Sequence, residues 1–263
     1  MDMVAEPRIT APDDGPYVNY LPAPASHRRL LRVVVPAALW MGCVVMFLWA
    51  RTQQDPGPAV WDDGAARSFE GTIVARPYPM LVTDHGAVLL VESGKVGARD
   101  VSTWAGRRCR VSGWLLTRDG RRMIELEPGS DAVMDLGAPG APPAVRDLGM
   151  VLLRGEIVDA KCYLGAMKPG SGRPHKECAT LCVTGGIPPV FVGRGADGAA
   201  VHALLSGADG GPIDPALLPL VADLLDVRGR ASEIAGLVVL RVGPGDVRRV
   251  TEETGEPGSA SNR

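Results

Sequence analysis

The sequence is poor in aromatic residues and carries almost no net charge. Phe, Trp and Tyr together make up 5% of its 263 residues, and the formal net charge at pH 7 is −2. Proteins that bind nucleic acid usually present a basic face, and those that bind single strands add aromatic side chains on which bases stack. Because the chain has neither feature, we expect no nucleic acid among its partners.

Common catalytic and cofactor signatures are also missing. The chain contains no G-x-S-x-G, no H-E-x-x-H and no Walker motif, and its cysteines form neither a C-x-x-C pair nor a C-x-x-C-H haem motif. These absences favour a non-enzymatic protein. A thiol-dependent redox enzyme stays open, because several cysteines stand close together further along the chain.

One long apolar run without charge, residues 33–50, stands near the N-terminus. It nearly matches the hydrocarbon core of a bilayer, which is about 30 Å thick. Basic residues at 27, 28, 29 and 32 precede the run, whereas Arg51 alone follows it directly. The positive-inside rule then predicts a cytoplasmic N-terminus. We expect a single-pass protein of the bacterial inner membrane with its C-terminal domains in the periplasm. A cleaved signal peptide is the alternative.

Composition divides the chain into tails, linkers and two globular parts. Stretches rich in Gly, Ala and Pro mark the linkers, and the polar ends show no periodicity. The expected order is a disordered cytoplasmic tail at 1–27, a transmembrane helix at 28–51, a linker at 52–67, a first domain at 68–129, a linker at 130–149, a second domain at 150–251 and a disordered tail at 252–263.

The two globular parts share a pattern of short strands. FEGTIV at 69–74 parallels LRGEIV at 153–158, and both parts continue with a V-x-G strand. About five strands with a helix or loop between the third and fourth are typical of the OB-fold, and glycines inside such strands favour tight barrel corners. We therefore predict an internal repeat in a mainly β protein, with one transmembrane helix followed by two OB-like small β-barrels. A β-sandwich is the alternative.

The second part differs by an insertion, about residues 160–186, between its first two strands. The insertion holds Cys162, His175, Cys178 and Cys182 in the spacing C-x12-H-x2-C-x3-C. If its C-terminal part is helical, Cys178 and Cys182 share one face with His175 just before them. Three thiolates and one imidazole can fill a four-coordinate site, so these residues are the predicted metal ligands.

Zinc, an iron–sulfur cluster and copper(I) are the candidates for the species that this cluster binds. Zinc would make the site structural, an iron–sulfur cluster would make the protein an electron carrier, and copper(I) is a third option. Asp159 and Glu177 are candidate outer partners of the imidazole. Two other interpretations stay open: a disulfide from Cys162 to Cys178 or Cys182, favoured by an oxidising periplasm, and three buried cysteines without chemistry.

Residues 155–189 carry a family resemblance. The pattern GEIVD-x-KC, followed by HK-x-CA-x-x-C and GGIPP, resembles a segment of uncharacterised membrane-anchored bacterial envelope proteins. The resemblance implies an envelope location and marks the insertion as the functional part. It assigns no catalytic residue.

These features together predict a membrane-anchored periplasmic accessory or electron-transfer protein. It would bind a metal ion, as zinc or an iron–sulfur cluster, and its partner would be another membrane or periplasmic protein. The alternatives are a thiol-redox enzyme or metallochaperone that uses Cys178 or Cys182 directly, and a structural scaffold with a disulfide staple.

The remaining cysteines and histidines receive ordinary structural roles. Cys109 is expected to be a buried small apolar side chain in a strand, and Cys43 lies in the membrane run. His85 is expected in an exposed hairpin turn, and His202 is expected on a strand as a surface or hydrogen-bonded residue.

Overall fold

The structure, a computed structural model, describes residues 25–52, 59–195 and 198–250. The chain divides into two units, Met1–Pro56 and Gly57–Arg263. In the first unit the described element is α1 (Ala25–Thr52). The tail expected at 252–263 lies outside the described residues, as does most of the tail expected at 1–27, whose last three residues belong to α1.

Helix α1 contains 28 residues, about 42 Å at 1.5 Å per residue. From His27 to Thr52 it is long and apolar enough to cross a membrane, and none of it is buried within the protein. Pro36 lies inside the helix rather than in its first turn, because the helix begins at Ala25, well before the apolar run. The predicted apolar helix is therefore present, and it is longer than the run that indicated it.

The second unit begins with a closed five-stranded barrel. Its strands are β1 (Val60–Val74), β2 (Met80–Thr83), β3 (Gly86–Val91), β4 (Arg107–Arg118) and β5 (Arg121–Leu126), and β6 (Val133–Pro139) pairs with β4. In the sheet β1, β2, β3, β5 and β4 are neighbours in that order, and β4 pairs again with β1. Strands β3 and β5 are parallel, and the other pairs are antiparallel. A 3₁₀ turn, Asp100–Trp104, connects β3 to β4.

A second barrel with the same strand order follows. Its strands are β7 (Val145–Asp159), β8 (Pro189–Arg194), β9 (Ala200–Ser206), β10 (Leu225–Ile234), β11 (Leu237–Arg241) and β12 (Val247–Arg249). In the sheet β7, β8, β9, β11 and β10 are neighbours in that order, and β10 closes on β7. Between β7 and β8 lies the insertion, which contains a π-helical turn (Cys162–Ala166), a 3₁₀ turn (Arg173–His175) and α2 (Lys176–Thr184). The predicted fold, two OB-like barrels with a Cys/His insertion in the second, is confirmed.

Glycine occupies the corresponding point of the first strand in both barrels. A Cβ at Gly71 would lie 2.3 Å from the carbonyl oxygen of Val82, and a Cβ at Gly155 would lie 2.1 Å from that of Val192. Backbones can approach this closely only where no side chain intervenes. The barrel corners that these glycines predict are thus formed.

Three groups of buried apolar residues make up the core. One fills the first barrel, around Ile73 and Val111. A second fills the other barrel, around Ile157 and Phe191. The third joins side chains of both barrels with the insertion: Met80, Leu89, Val91, Leu116 and Met123 pack with Val158, Cys162, Leu164, Cys182, Ile187, Val190 and Leu204. The two barrels therefore share a core, and two of the candidate metal ligands lie in it.

The structure differs from the linkers expected at 52–67 and 130–149. Strand β1 begins at Val60 and pairs with β4 through a register shift between Asp62 and Arg67. Strand β6 pairs with the opposite edge of β4, and β7 already begins at Val145. Composition indicated loops at both places. Strand β4 is long enough to pair with β1 along one edge and with both β5 and β6 along the other, and the start of β7 pairs with β10.

The apolar residues of 215–225 recur at the spacing of a helix, but the structure has a short 3₁₀ turn there, Pro215–Leu220. The side chain of Asp214 accepts a hydrogen bond of 2.8 Å from the backbone N–H of Ala216 and starts this turn. Pro219 has no N–H to continue an α-helix, and Ala222 has a positive φ of 59°. Proline therefore keeps this element shorter than the apolar spacing indicated.

Candidate metal centre

The structure brings three cysteines of the insertion together. The Sγ atoms of Cys162, Cys178 and Cys182 lie within 4.8 Å of one another. Cys162 and Cys182 are buried, and Cys178 is half-buried. All five cysteines of the chain are free thiols. Convergence of the cysteines, predicted from their spacing, is therefore present without a disulfide.

Local hydrogen bonds explain why these thiols meet. The carboxylate of Asp159, the last residue of β7, accepts a 2.8 Å hydrogen bond from the backbone N–H of Cys162 and so forms the turn that follows the strand. Helix α2 then presents Cys178 and Cys182 one turn apart on the face that meets this turn. Gly170 lets the connecting loop pass closely over the backbone of Cys162, since a Cβ there would lie 2.4 Å from its carbonyl oxygen.

His175 lies beside the thiols and is hydrogen-bonded to a carboxylate. Its Nε2 is 3.0 Å from Oδ2 of Asp159, and both side chains are buried. A ring nitrogen of His175, the Asp159 carboxylate and Sγ of Cys162 form a second group within 4.8 Å, which shares Cys162 with the thiol group. The expected partnership of Asp159 with the imidazole is thus found, whereas Glu177 is exposed on α2. The three cysteines and His175 make a buried cluster able to bind a metal.

Lys95 is a member of the site that sequence reasoning missed. It comes from the loop after β3, in the first barrel, and its Nζ donates to Sγ of Cys178 at 2.8 Å and to Sγ of Cys182 at 3.3 Å. No motif surrounds this lysine in the sequence. Its position depends on how the two barrels pack, which no local pattern reports.

A second lysine fixes the loop that carries Lys95. Nζ of Lys161, next to Cys162, donates to the carbonyl oxygens of Glu92 and Gly94 at 2.9 and 2.8 Å. The same Nζ lies 2.9 Å from Oε2 of Glu125 on β5, with both side chains 6% exposed. That oxygen has no hydrogen bond of good geometry in the described chain, so the contact is a buried charge pair. One lysine from each barrel therefore reaches into the other.

Backbone contacts complete this connection at the C-terminal end of α2. The N–H of Gly97 donates to the carbonyl oxygen of Gly185 at 3.1 Å. A Cβ at Gly97 would lie 2.1 Å from the carbonyl oxygen of Gly186, and one at Gly185 would lie 1.8 Å from that of Lys95. The Lys95 loop thus rests on α2 with no room for a side chain between them.

Met167 supplies a further sulfur at the edge of the cluster. Its Sδ lies 3.8 Å from Sγ of Cys178, and the residue is 46% exposed. Like Lys95, it was not among the predicted ligands. In the sequence, only its closeness to Cys162 could have indicated Met167 as a ligand. The contact with Cys178 forms because the loop that carries Met167 folds back toward α2.

Hydrogen bonds among these groups shift their ionisation. The bond from Cys162 lowers the pKa of Cys182, and Lys95 lowers it further, although burial opposes both. The same bond to Cys182, followed by burial, raises the pKa of Cys162. Hydrogen bonding to Cys178 is the main cause of the raised pKa of Lys95. The contacts with Cys162 and Lys95 therefore favour the thiolate form of Cys182, the form of cysteine that binds metals and attacks disulfides.

Three of the other predicted roles hold. Cys109 is buried in β4, and burial raises its pKa. Cys43 is an exposed residue of α1. His85 is exposed in the turn between β2 and β3.

His202 differs from its expected role. It is 9% exposed, and its ring lies 5.4 Å from that of Tyr163. Among the described residues neither ring nitrogen has a hydrogen-bond partner. Burial lowers the pKa of His202 to about 3, and the charges of Arg121 and Arg118 contribute. The expectation of a surface or hydrogen-bonded residue was wrong because β9 is covered on both faces, by its own barrel and by the neighbouring one.

Comparisons of the chain with protein-family models, curated proteins and solved structures find no match. What the site can do is therefore taken from its geometry. Three soft donors held together beside a cation suit two kinds of chemistry, the binding of a thiophilic metal and thiol–disulfide exchange.

Proposed function

We propose that the protein is a membrane-anchored, periplasmic accessory protein that binds a metal ion through Cys162, Cys178 and Cys182. The observation that carries the proposal is the convergence of their three Sγ atoms within 4.8 Å. A metal with sulfur ligands at about 2.3 Å fits among sulfurs at such separations. His175 is the nearest nitrogen donor, and its bond to Asp159 is the kind of outer contact that orients a metal-binding imidazole.

The proposed location follows from α1 and the charges around it. The helix has the length and apolarity of a membrane span, and its basic residues concentrate before the apolar run. By the positive-inside rule the two barrels then lie in the periplasm. There the site would serve another membrane or periplasmic protein, as an accessory or electron-transfer partner, and the half-buried Cys178 is the thiol that such a partner can reach.

Metal content and thiol counting on the full chain, extracted in detergent, test this function. Prepared without oxygen, the protein should contain one metal ion per chain, and Cys162, Cys178 and Cys182 should resist alkylation until the metal is removed. Cys178→Ser should lose the metal, whereas Cys43→Ser, a cysteine of α1, should keep it. A metal-free protein with three reactive thiols in the insertion would refute the proposal.

Thiol–disulfide exchange is a second candidate, favoured by the lowered pKa of Cys182 and the half-buried Cys178. In such a step Cys178 and Cys182 would form a disulfide and pass two electrons and two protons to a partner disulfide, which becomes two thiols. The same preparation discriminates the candidates. Reversible loss of two thiols on exposure to oxidised glutathione, in a metal-free protein, would favour exchange.

A further inference from the structure

We infer that the site is built for a monovalent d10 ion, copper(I), held by three thiolates whose negative charge is compensated by Lys95 of the first barrel. The inference rests on the proposed metal-binding function and specifies its cargo. It also gives the first barrel, which holds none of the predicted ligands, a direct part in the site.

The donors at the site are sulfur atoms. Three thiols lie within 4.8 Å of one another, and the thioether of Met167 lies 3.8 Å from Cys178. Thiolate and thioether together are the ligands that select soft copper(I), whereas zinc sites prefer a fourth thiolate, imidazole or carboxylate. The available imidazole, His175, groups with Asp159 and Cys162 rather than with the full set of thiols. The three thiols therefore offer a ligand set of sulfur alone.

Charge gives the second argument. Three thiolates leave a net charge of −2 around a monovalent ion and −1 around a divalent ion. The ammonium of Lys95, at 2.8 Å from Cys178 and 3.3 Å from Cys182, neutralises part of this charge by charge-assisted hydrogen bonds. Such compensation stabilises the more negative complex more strongly, and this favours the monovalent ion.

The exposure of the sulfur ligands gives the third argument. Cys162 and Cys182 are 5% and 1% exposed, whereas Cys178 is half-buried and Met167 is 46% exposed. One side of the cluster is thus closed by the shared core, and the other opens through Cys178 and Met167. A purely structural metal needs no such opening. An ion that is handed to a partner does, and a thioether at the opening can take it in exchange.

Copper(I) and zinc(II), each supplied alone, test the inference on the reduced full chain in detergent micelles without oxygen. Competition with a chromophoric chelator should give one copper(I) per chain, and X-ray absorption should show three sulfur neighbours. Serine at any one of Cys162, Cys178 or Cys182 should weaken copper(I) binding. A two-sulfur, linear copper site, with one of the three serine variants neutral, would overturn the inference.

Metal affinities of Lys95 variants separate an electrostatic role of Lys95 from a role in packing. Lys95→Gln removes the charge without adding a sulfur ligand, and it should weaken copper(I) binding about tenfold at low ionic strength, with a smaller effect on zinc(II). Lys95→Arg should restore most of the affinity, and Lys168→Gln, at an exposed lysine of the insertion, should change nothing. Because the compensation is electrostatic and Lys95 is exposed, the difference in copper(I) affinity between wild type and Lys95→Gln should shrink at about 1 M salt. Equal copper(I) affinities for wild type and Lys95→Gln at low salt would contradict the compensation by Lys95.

The two levels of proposal fail differently. If the wild-type chain takes up neither copper(I) nor zinc(II), metal binding itself is wrong. If it binds zinc(II) through the three cysteines with the nitrogen of His175 as fourth ligand, and Lys95→Gln has no effect on copper(I), the function stands and the assignment to copper(I) falls.

Discussion

Nζ of Lys95 lies 2.8 Å from Sγ of Cys178, although the two residues are 83 positions apart and belong to different barrels. Lys161 makes the reciprocal contact, from the insertion to the loop of the first barrel. The candidate metal centre is therefore a property of the pair of barrels, with the thiols from one and the cation from the other. Changes in the first barrel should alter thiol chemistry in the second.

Replacing Lys95 should make Cys182 a weaker acid. The ammonium stabilises the thiolate, so its removal in Lys95→Met raises the pKa of Cys182 and lowers the thiolate fraction at pH 7. Thiolate absorbance followed through a pH titration, with the Cys182→Ser signal subtracted, measures this. We expect the Cys182 titration to move to higher pH in Lys95→Met. It should stay in place in Lys168→Met, and an unchanged titration in both would show that Lys95 does not act on the thiolate.

The charge pair of Lys161 and Glu125 should be costly to break from one side. Lys161→Met leaves a buried carboxylate without its cation, which typically costs about 3 kcal/mol or more and here corresponds to a fall in Tm of roughly 10 °C. Adding Glu125→Gln should recover part of the loss, because the uncompensated charge is removed. Thermal unfolding followed by circular dichroism measures both.

An exposed pair provides the matched control for that experiment. Arg154 and Asp226 are 2.7 Å apart, but their side chains are 61% and 41% exposed. Arg154→Met should change stability by no more than about 1 kcal/mol. If Lys161→Met were equally mild, the buried pair would not be a main link between the barrels.

Gly97 should tolerate no side chain. A Cβ there would lie 2.1 Å from the carbonyl oxygen of Gly186, a backbone atom that cannot turn away. Gly97→Ala should therefore push the Lys95 loop off α2, destabilise the protein by about 1–3 kcal/mol and speed alkylation of Cys182. Gly245→Ala is the control, since nothing lies within 4 Å of its added Cβ. Thiol reactivity unchanged in Gly97→Ala would mean that the loop stays docked.

The fold could be predicted from local signals. Paired strand patterns and the glycines at 71 and 155 indicated two small barrels, and the i, i+4 spacing of Cys178 and Cys182 indicated a helical face. Each of these depends on neighbours in sequence or on the period of a strand or helix. The helix α2 and the closed barrels follow from that physics.

The parts that could not be predicted depend on contacts between the barrels. Lys95 and Glu125 carry no motif, and they reach the thiols and Lys161, respectively, because the barrels share a core. His202 was expected at a surface or in a hydrogen bond because an isolated strand hides one face only, whereas β9 is buried on both. Strand β6 has the composition of a linker, and it became a strand because β4 had a free edge.

The orientation of α1 can be tested directly. If the basic residues before the apolar run hold the N-terminus in the cytoplasm, a reporter enzyme that requires the periplasm should be active when fused to the C-terminus of the full chain. A reporter that requires the cytoplasm should be silent at the same position. Replacing the arginines at 28, 29 and 32 with glutamate should reduce this bias. The reverse pattern would place both barrels in the cytoplasm.

His202 should make the protein sensitive to mild acid. Burial holds its pKa at about 3 in the folded protein, whereas an unfolded histidine titrates near 6.5. Below pH 6.5 the unfolded chain therefore binds a proton that the folded chain does not, and stability falls with pH until the folded pKa is reached. Between pH 7 and pH 5 this histidine should account for a loss of about 2 kcal/mol.

Two variants isolate that contribution. His202→Leu removes the titrating ring from a buried site whose nitrogens have no hydrogen-bond partners among the described residues, so its stability should change less between pH 7 and pH 5 than that of the wild type. His85→Gln, in an exposed turn, should keep the wild-type dependence. Urea unfolding at the two pH values gives the comparison, and it stays above the range in which carboxylates dominate acid unfolding. Equal losses in wild type and His202→Leu would mean that the ring accepts its proton without unfolding, through an opening of the contact with Tyr163 that the packed structure does not contain.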